Sequence, residues 1–188
     1  APIGKGAMAA ILGLKREDVL TICETASVAG VVEAANYNCP GQIVISGEVQ
    51  AVKKAVELAR LEGARRAIML MVSAPFHCSL LKPVAESLAK ELEKVKIKDS
   101  KIPIISNVNA EFVEEACTVK DLLIKQVSSP VLWEDSIKKM VDSDVKTFIE
   151  VGPGKILGSF IKRTDKDLKV LNVEDVKSLR STINYFGG

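Results

Sequence analysis

"ANYNCPGQIVISG" (residues 35–47) decides how the first third of the chain folds. Residues 35–38 alternate apolar and polar and residues 43–45 form a short β-branched apolar run, with Cys39-Pro40-Gly41 between them, and Pro-Gly is a turn dipeptide. The stretch therefore reads as two strands, residues 31–38 and 42–47, joined by a tight turn. Outward from this hairpin lie two helical patterns. "REDVLTICETAS" (residues 16–27) has Val19, Leu20, Ile22, Cys23 and Ala26 at helical spacing, with acids near its start. "EVQAVKKAVELARLEG" (residues 48–63) places Val49, Val52, Ala55, Val56 and Leu61 inward and stops at Gly63. Outside both helices lie "AMAAILGL" (residues 7–14) and "RRAIMLMV" (residues 65–72), the latter read as a buried strand. The order β-α-β-β-α-β is that of the ferredoxin-like, or split βαβ, unit.

The rest of the chain follows another pattern. Residues 82–95 read as a helix with Pro83 in its first turn, and "IPIIS" as a strand. Residues 121–127 and 134–141 read as helices split by "SSP", and residues 145–152 as a buried strand. "PGKILGSFIKR" is a turn running into a helix, and "VKSLRSTINYF" is a closing helix. This alternation suits part of a parallel α/β sheet.

Composition narrows the function classes. In 188 residues, 47% are hydrophobic and 27% charged, enough for a core and against disorder. Aromatic residues make up 4% and the net charge is +2, so stacking platforms and a basic footprint for nucleic acid are not expected. The densest basic patch, "EKVKIKDSK", reads as a solvated helix end. The four cysteines, Cys23, Cys39, Cys78 and Cys117, form no CxxC pair, and there is one histidine. No metal site is expected, and the thiols read as reduced. No leader, lipidation motif or long apolar run is recognised, which suits a soluble intracellular chain without membrane contact.

The one histidine is His77, in "SAPFHCSL". It is either a structural imidazole or a general base working near neutral pH. Its place after an apolar strand, with Pro75 restricting the loop, suits the second role. Cys78 and Cys39 are conceivable thiol partners, and both also fit as small core residues. The serine elbow G-x-S-x-G does not occur: Ser46 has Val44 two residues before it, and Ser159 has Leu157. "VGPGKILG" lacks the Ser/Thr of a P-loop and misses G-x-G-x-x-G by one residue, so it reads as a strand-to-helix turn. "NYNCPGQ" is either a structural turn or a substrate-facing one.

Several stretches together resemble the malonyl-CoA:acyl-carrier-protein transacylases of bacterial type II fatty-acid synthesis: "GKGAMAAILGL", "ANYNCPGQIVISG", "SAPFHCSLL", "IPIISNVNA", "QVSSPVLWEDSI" and "FIEVGPGKIL". They stand in that family's order and spacing, from Gly4 to Phe186. The resemblance implies an α/β fold in two parts. Residues 5–72 would be the ferredoxin-like small subdomain. Residues 73–188 would be the C-terminal part of an α/β-hydrolase-like large subdomain. It implies a cytoplasmic acyltransferase of lipid metabolism that passes malonyl from coenzyme A to the phosphopantetheine thiol of acyl carrier protein. The route would be a Ser–His ping-pong mechanism, with no cofactor beyond these substrate groups.

By the same resemblance His77 is the catalytic histidine. Gln126 supplies the backbone carbonyl that orients it. Phe76, Met8 and Asn38 line the acyl pocket, Phe76 crowding an alpha-methyl group. Apart from the resemblance, lysines such as Lys53, Lys54 or Lys155 could meet an acidic carrier helix. The family's nucleophilic serine, malonyl-binding arginine and oxyanion amide would come from an N-terminal segment outside this sequence. The chain alone is therefore expected to be inactive. A polyketide-synthase acyltransferase domain and a non-catalytic carrier-docking module are the alternatives.

Overall fold

The computed structural model describes residues 6–72 and 74–187. Gly4 and Lys5, where the family likeness and its first subdomain begin, lie outside them, as do Ser73 and the final Gly188. The chain divides between Ser136 and Ile137, and each part is described by itself.

The first part opens with β1 (Gly6–Leu12), α1 (Arg16–Ala26), a 3₁₀ turn (Ser27–Ala29), β2 (Val32–Cys39), β3 (Gln42–Glu48), α2 (Val49–Leu61) and β4 (Arg66–Met69). The strands form one sheet in the order β2-β3-β1-β4, every neighbouring pair antiparallel. The hairpin turns on Pro40 and Gly41. Gly41 has φ +70°, the left-handed geometry that a glycine after proline supplies without a Cβ clash. Gly47 is required for a different reason. A Cβ there would stand 2.0 Å from the Val31 carbonyl oxygen, inside any allowed contact.

Alternation gives the sheet two faces. Ala7, Ala9, Ile11, Val32, Ala34, Tyr37, Ile43 and Ile45 point to the helices. They meet Val19, Ile22, Cys23 and Ala26 of α1 and Ala51, Val52, Ala55, Val56 and Ala59 of α2. The many alanines let helix and sheet approach closely. The opposite face carries Met8, Ala35 and Val44, with Ala10 and Leu70 packed on them.

Two expectations fail here. Leu61, expected inward, is 83% exposed. It lies about two and a half turns beyond Val52, on the opposite side of α2. The strand expected as buried over residues 65–72 is an edge strand of four residues in which only Ala67 is buried. Among the described residues it pairs with β1 alone, and Met71 and Val72 are exposed.

Beyond a 3₁₀ turn (Ser79–Leu81) come α3 (Lys82–Glu93), β5 (Ile104–Ser106), β6 (Glu111–Val113), α4 (Ala116–Val127) and α5 (Trp133–Asp142). The β5–β6 hairpin is antiparallel. β6 was not read from the sequence: it has three residues, and its start is set by Ala110 at φ +55° and by the Asn109 Oδ1 that accepts from Glu111 N–H. α4 begins five residues before its expected start at residue 121. Asp99 Oδ1 accepts the Ala116 N–H at 2.9 Å, a cap from 17 residues upstream that no local pattern announces.

The second part contains β7 (Thr147–Val151), α6 (Ile156–Thr164), β8 (Lys169–Val173) and α7 (Val176–Tyr185). β7 and β8 pair in parallel. β8, flanked by "DKDLK", was not read as a strand. β7 was expected to be buried, but only Phe148 is, while Ile149 and Val151 are exposed. A two-stranded parallel sheet leaves much of its surface uncovered. Asp175 caps α7 by accepting the Ser178 N–H at 2.7 Å. The molecule is an α/β protein. Among the described residues no helix is long and apolar enough to cross a membrane.

Ile45→Ala, at a fully buried position of the central strand β3, should cost about 2–5 kcal/mol in a urea melt. Val28→Ala, at an exposed site, should change stability by less than about 0.5 kcal/mol. Similar effects of the two would contradict this packing.

Candidate active site

His77 follows β4 in the turn that precedes Ser79–Leu81. Pro75 and Cys78 are buried, His77 is half-buried, and Phe76 is 43% exposed. The loop thus anchors through its two small apolar residues and presents the histidine between them. His77 has φ +60°, a left-handed conformation that costs a side-chain-bearing residue roughly 1–2 kcal/mol. Such a residue persists only where its surroundings fix it, and this occurs preferentially at functional sites.

The imidazole is fixed by one bond: His77 Nδ1 lies 3.0 Å from the backbone carbonyl oxygen of Gln126. A carbonyl only accepts, so Nδ1 carries the proton, and in the neutral ring Nε2 keeps its lone pair. Gln126 sits in the last turn of α4. In a continuing helix its carbonyl would accept from the amide of residue 130. Residue 130 is proline, which ends the helix and has no N–H. The carbonyl is therefore left for the imidazole. Gln126 Nε2 donates to the carbonyls of Ser129 and Pro130 at 3.0 and 3.2 Å, closing the chain around the bend.

Strand β2 holds both arms of this pair. Val131 N–H donates to the Ala35 carbonyl at 2.8 Å, and Tyr37 N–H donates to the Val131 carbonyl at 2.9 Å. Glu33 accepts from Ser79 N–H at 2.9 Å and from Ser79 Oγ at 2.5 Å. Farther along, Arg16 forms a two-pronged bond to Asp135, 3.0 Å on each prong, and lies 3.7 Å above the Tyr37 ring. The sequence reading missed Glu33, Ser79, Arg16 and Asp135, which pair over separations of 46 and 119 residues. Pro130, four residues after Gln126, was the available local signal for the free carbonyl.

The remaining candidates fall as follows. Met8 is 5% exposed, within the small cluster on the sheet face away from α1 and α2. Its register partner Ser46 pairs in turn with Glu33. Asn38 is half-buried near the end of β2. Beside Gln126 a cavity of about 210 Å³ opens between the β5–β6 hairpin and α4, lined by Ile105, Asn107, Val119 and Leu122 among others.

The three buried thiols are not poised as nucleophiles. Cys78 Sγ donates to the Pro75 carbonyl at 3.2 Å, and burial pushes its pKa up. Burial, helped by the charge of Glu33, pushes Cys23 up to about 12. Cys39 is fully buried. The glycine turn "VGPGKILG" holds no open anion cradle either. Glu150 accepts from Leu157 N–H at 3.1 Å and Gly158 N–H at 2.8 Å, and Glu174 accepts from Gly154 N–H at 3.0 Å. These carboxylates occupy the amides a phosphate would need. Among the described residues no group of three or more His, Cys, Asp or Glu could hold a metal ion.

This chain can be set beside known proteins. The acyl transferase domain family model matches residues 2–183. The malonyl CoA-acyl carrier protein transacylase of Bacillus subtilis is 46% identical over 183 residues, which is 97% of this chain and 58% of that protein. The crystal structure of the malonyl CoA-acyl carrier protein transacylase from Clostridium perfringens is 49% identical with TM-score 0.95, covering 99% of this chain and 58% of that one. A structure of a type II PKS acyl-carrier protein in complex with its malonyl-transacylase matches with TM-score 0.96 at 34% identity, covering 98% of this chain and 60% of that one. The chain thus spans about three fifths of the length of the relatives it matches. With the motif stretches, the sheet and the histidine loop all inside the matched region, the chain belongs to the acyl transferase family.

Proposed function

We propose that this chain is the base-bearing part of a malonyl-CoA:acyl-carrier-protein S-malonyltransferase. The observation that carries the reading is the 3.0 Å approach of His77 Nδ1 to the Gln126 carbonyl, which leaves Nε2 as the proton acceptor. A serine hydroxyl, supplied by polypeptide outside this sequence, attacks the thioester carbonyl of malonyl-CoA while His77 Nε2 takes its proton. The tetrahedral adduct collapses, and the coenzyme A thiolate leaves with that proton. In the second half the phosphopantetheine thiol of acyl carrier protein gives its proton to Nε2 and attacks the malonyl-serine ester. The serine oxygen then leaves and takes the proton back. The neutral carbonyl of Gln126 orients the ring without adding a charge beside it.

In this reading the chemistry needs no cofactor or metal, coenzyme A and phosphopantetheine being substrate groups, and it runs in the cytoplasm. Residues 5–72 form a ferredoxin-like subdomain, supported by the β2-β3-β1-β4 antiparallel order. Residues 73–188 form part of an α/β-hydrolase-like subdomain, supported by the parallel β7–β8 pair. Phe76, being partly exposed, can meet the acyl group directly, whereas Met8 can shape the pocket only from within its packed cluster. Asn38 is assigned to the pocket on the resemblance. Lys53 and Lys54 on α2 are exposed and would meet an acidic carrier. A second reading, malonyl transfer to a polyketide carrier, is favoured by the type II PKS match. Supplying each carrier protein in turn and comparing kcat/KM separates the two.

With the serine-bearing segment supplied, His77→Ala should lower malonyl transfer by about 10²–10⁴-fold while carrier binding persists. Unchanged transfer would leave only a docking module. The chain by itself should show no covalent malonyl adduct by intact mass after incubation with malonyl-CoA, and an adduct would refute the division of labour. Iodoacetamide at neutral pH should label the exposed Cys117 and spare Cys23, Cys39 and Cys78 until unfolding. Rapid labelling of Cys78 would reopen a thiol nucleophile.

A further inference from the structure

We propose that Glu33 is a positioning residue for His77, holding the imidazole in the geometry that the transfer needs. The inference rests on the acyl-transfer reading above for its catalytic meaning. Glu33 lies on β2, on the sheet face away from α1 and α2, in one row with Ser46 and Met8. Both of those neighbours are buried, so the row is a firm base. The Glu33 carboxylate accepts two bonds from one residue: Ser79 N–H at 2.9 Å and Ser79 Oγ at 2.5 Å. Bonds to an ionised acceptor are shorter and stronger than neutral ones, and a pair of them fixes orientation as well as distance.

Ser79 is two residues after His77. Between them, Cys78 is buried, its Sγ bonds back to the Pro75 carbonyl, and its own carbonyl accepts from Leu81 N–H at 3.0 Å. The left-handed turn at His77 is thus closed on its far side by a strand-borne carboxylate. The other arm of the pair reaches the same strand two residues on. Ala35 and Tyr37 bond Val131, next to Pro130, whose carbonyl the Gln126 side chain holds. One strand therefore spaces the imidazole against the carbonyl that orients it, and Glu33 is its attachment to the imidazole side.

His77 is the sole histidine, so ¹⁵N-histidine labelling of this chain gives one ring spin system. Wild type should show a single neutral tautomer with the proton on Nδ1. Glu33→Ala should mix the two tautomers, whereas Glu33→Gln, which keeps an acceptor for Ser79 N–H, should restore the single one. Glu48→Ala is the control for merely losing a carboxylate clamp, because Glu48 bonds Val31 N–H at 2.8 Å just before the start of the same strand. It should leave the ring signature unchanged.

A folded Glu33→Ala with the wild-type ring pattern overturns the proposal. If that variant does not fold, Glu33→Asp decides, because its carboxylate stands one methylene short of Ser79: a mixed tautomer supports the proposal and a wild-type pattern overturns it. In the enzyme assembled with its serine-bearing segment, Glu33→Ala should lower kcat about 10–100-fold and leave KM for malonyl-CoA within about twofold. Unchanged kcat overturns the catalytic role. If the assembled wild type transfers no malonyl, the acyl-transfer reading falls, and the ring tautomers still judge whether Glu33 places His77.

Discussion

The carbonyl of Gln126 has no helical amide to accept from, because the residue four positions on is proline. That vacancy in the helix bonding pattern gives the structure its functional geometry. A buried or half-buried carbonyl needs a donor, and His77 Nδ1 supplies one. The imidazole is thereby confined to one tautomer without a carboxylate beside it. A carboxylate would stabilise the charged ring, whereas a carbonyl dipole orients it more neutrally.

Holding that bond requires two segments 49 residues apart to keep their spacing. Strand β2 does this from its outer edge and its outer face. Its inner face is committed to the α1–α2 core, and its outer edge would otherwise be an open row of donors and acceptors. Val131 occupies that edge beside Asn36, and Glu33 reaches up to Ser79. The edge strand β2 of the βαββαβ unit is thus also the strand that aligns the histidine. Anchoring a site to a strand packed against two helices limits its motion more than a loop could.

The thiols near the site illustrate how burial sorts chemistry. Cys78 is adjacent to His77 in sequence but donates to Pro75, and desolvation holds it protonated. An amino-acid type suited to nucleophilic attack is made a core residue by its direction alone. The same sorting appears in "VGPGKILG", where Glu150 and Glu174 take the amides that a phosphate would otherwise bind.

Much of the first sheet was legible because periodicity and turn chemistry are local. The strand-like runs on either side of Pro40-Gly41, the apolar stripe of α2 and the placing of α1 predicted elements within about two residues of those observed. His77 stood out as the single histidine after a strand, whereas Pro130, the local sign of a carbonyl without a helical partner, went unused and Gln126 was named on the resemblance alone. Burial was less legible. β4 and β7 read as buried strands from their apolar runs, yet a strand is covered only by neighbours, and neither composition nor spacing says which neighbours are present. Leu61 failed for the related reason that an apolar residue can sit on the wrong side of its own helix. The chain by itself therefore determined its repeating elements and the bonds that local groups lack. Only the tertiary structure decided who satisfies them: Gln126 with His77, Glu33 with Ser79 and Arg16 with Asp135 meet across 49, 46 and 119 residues. Local spacing carries no information about distances that only folding creates.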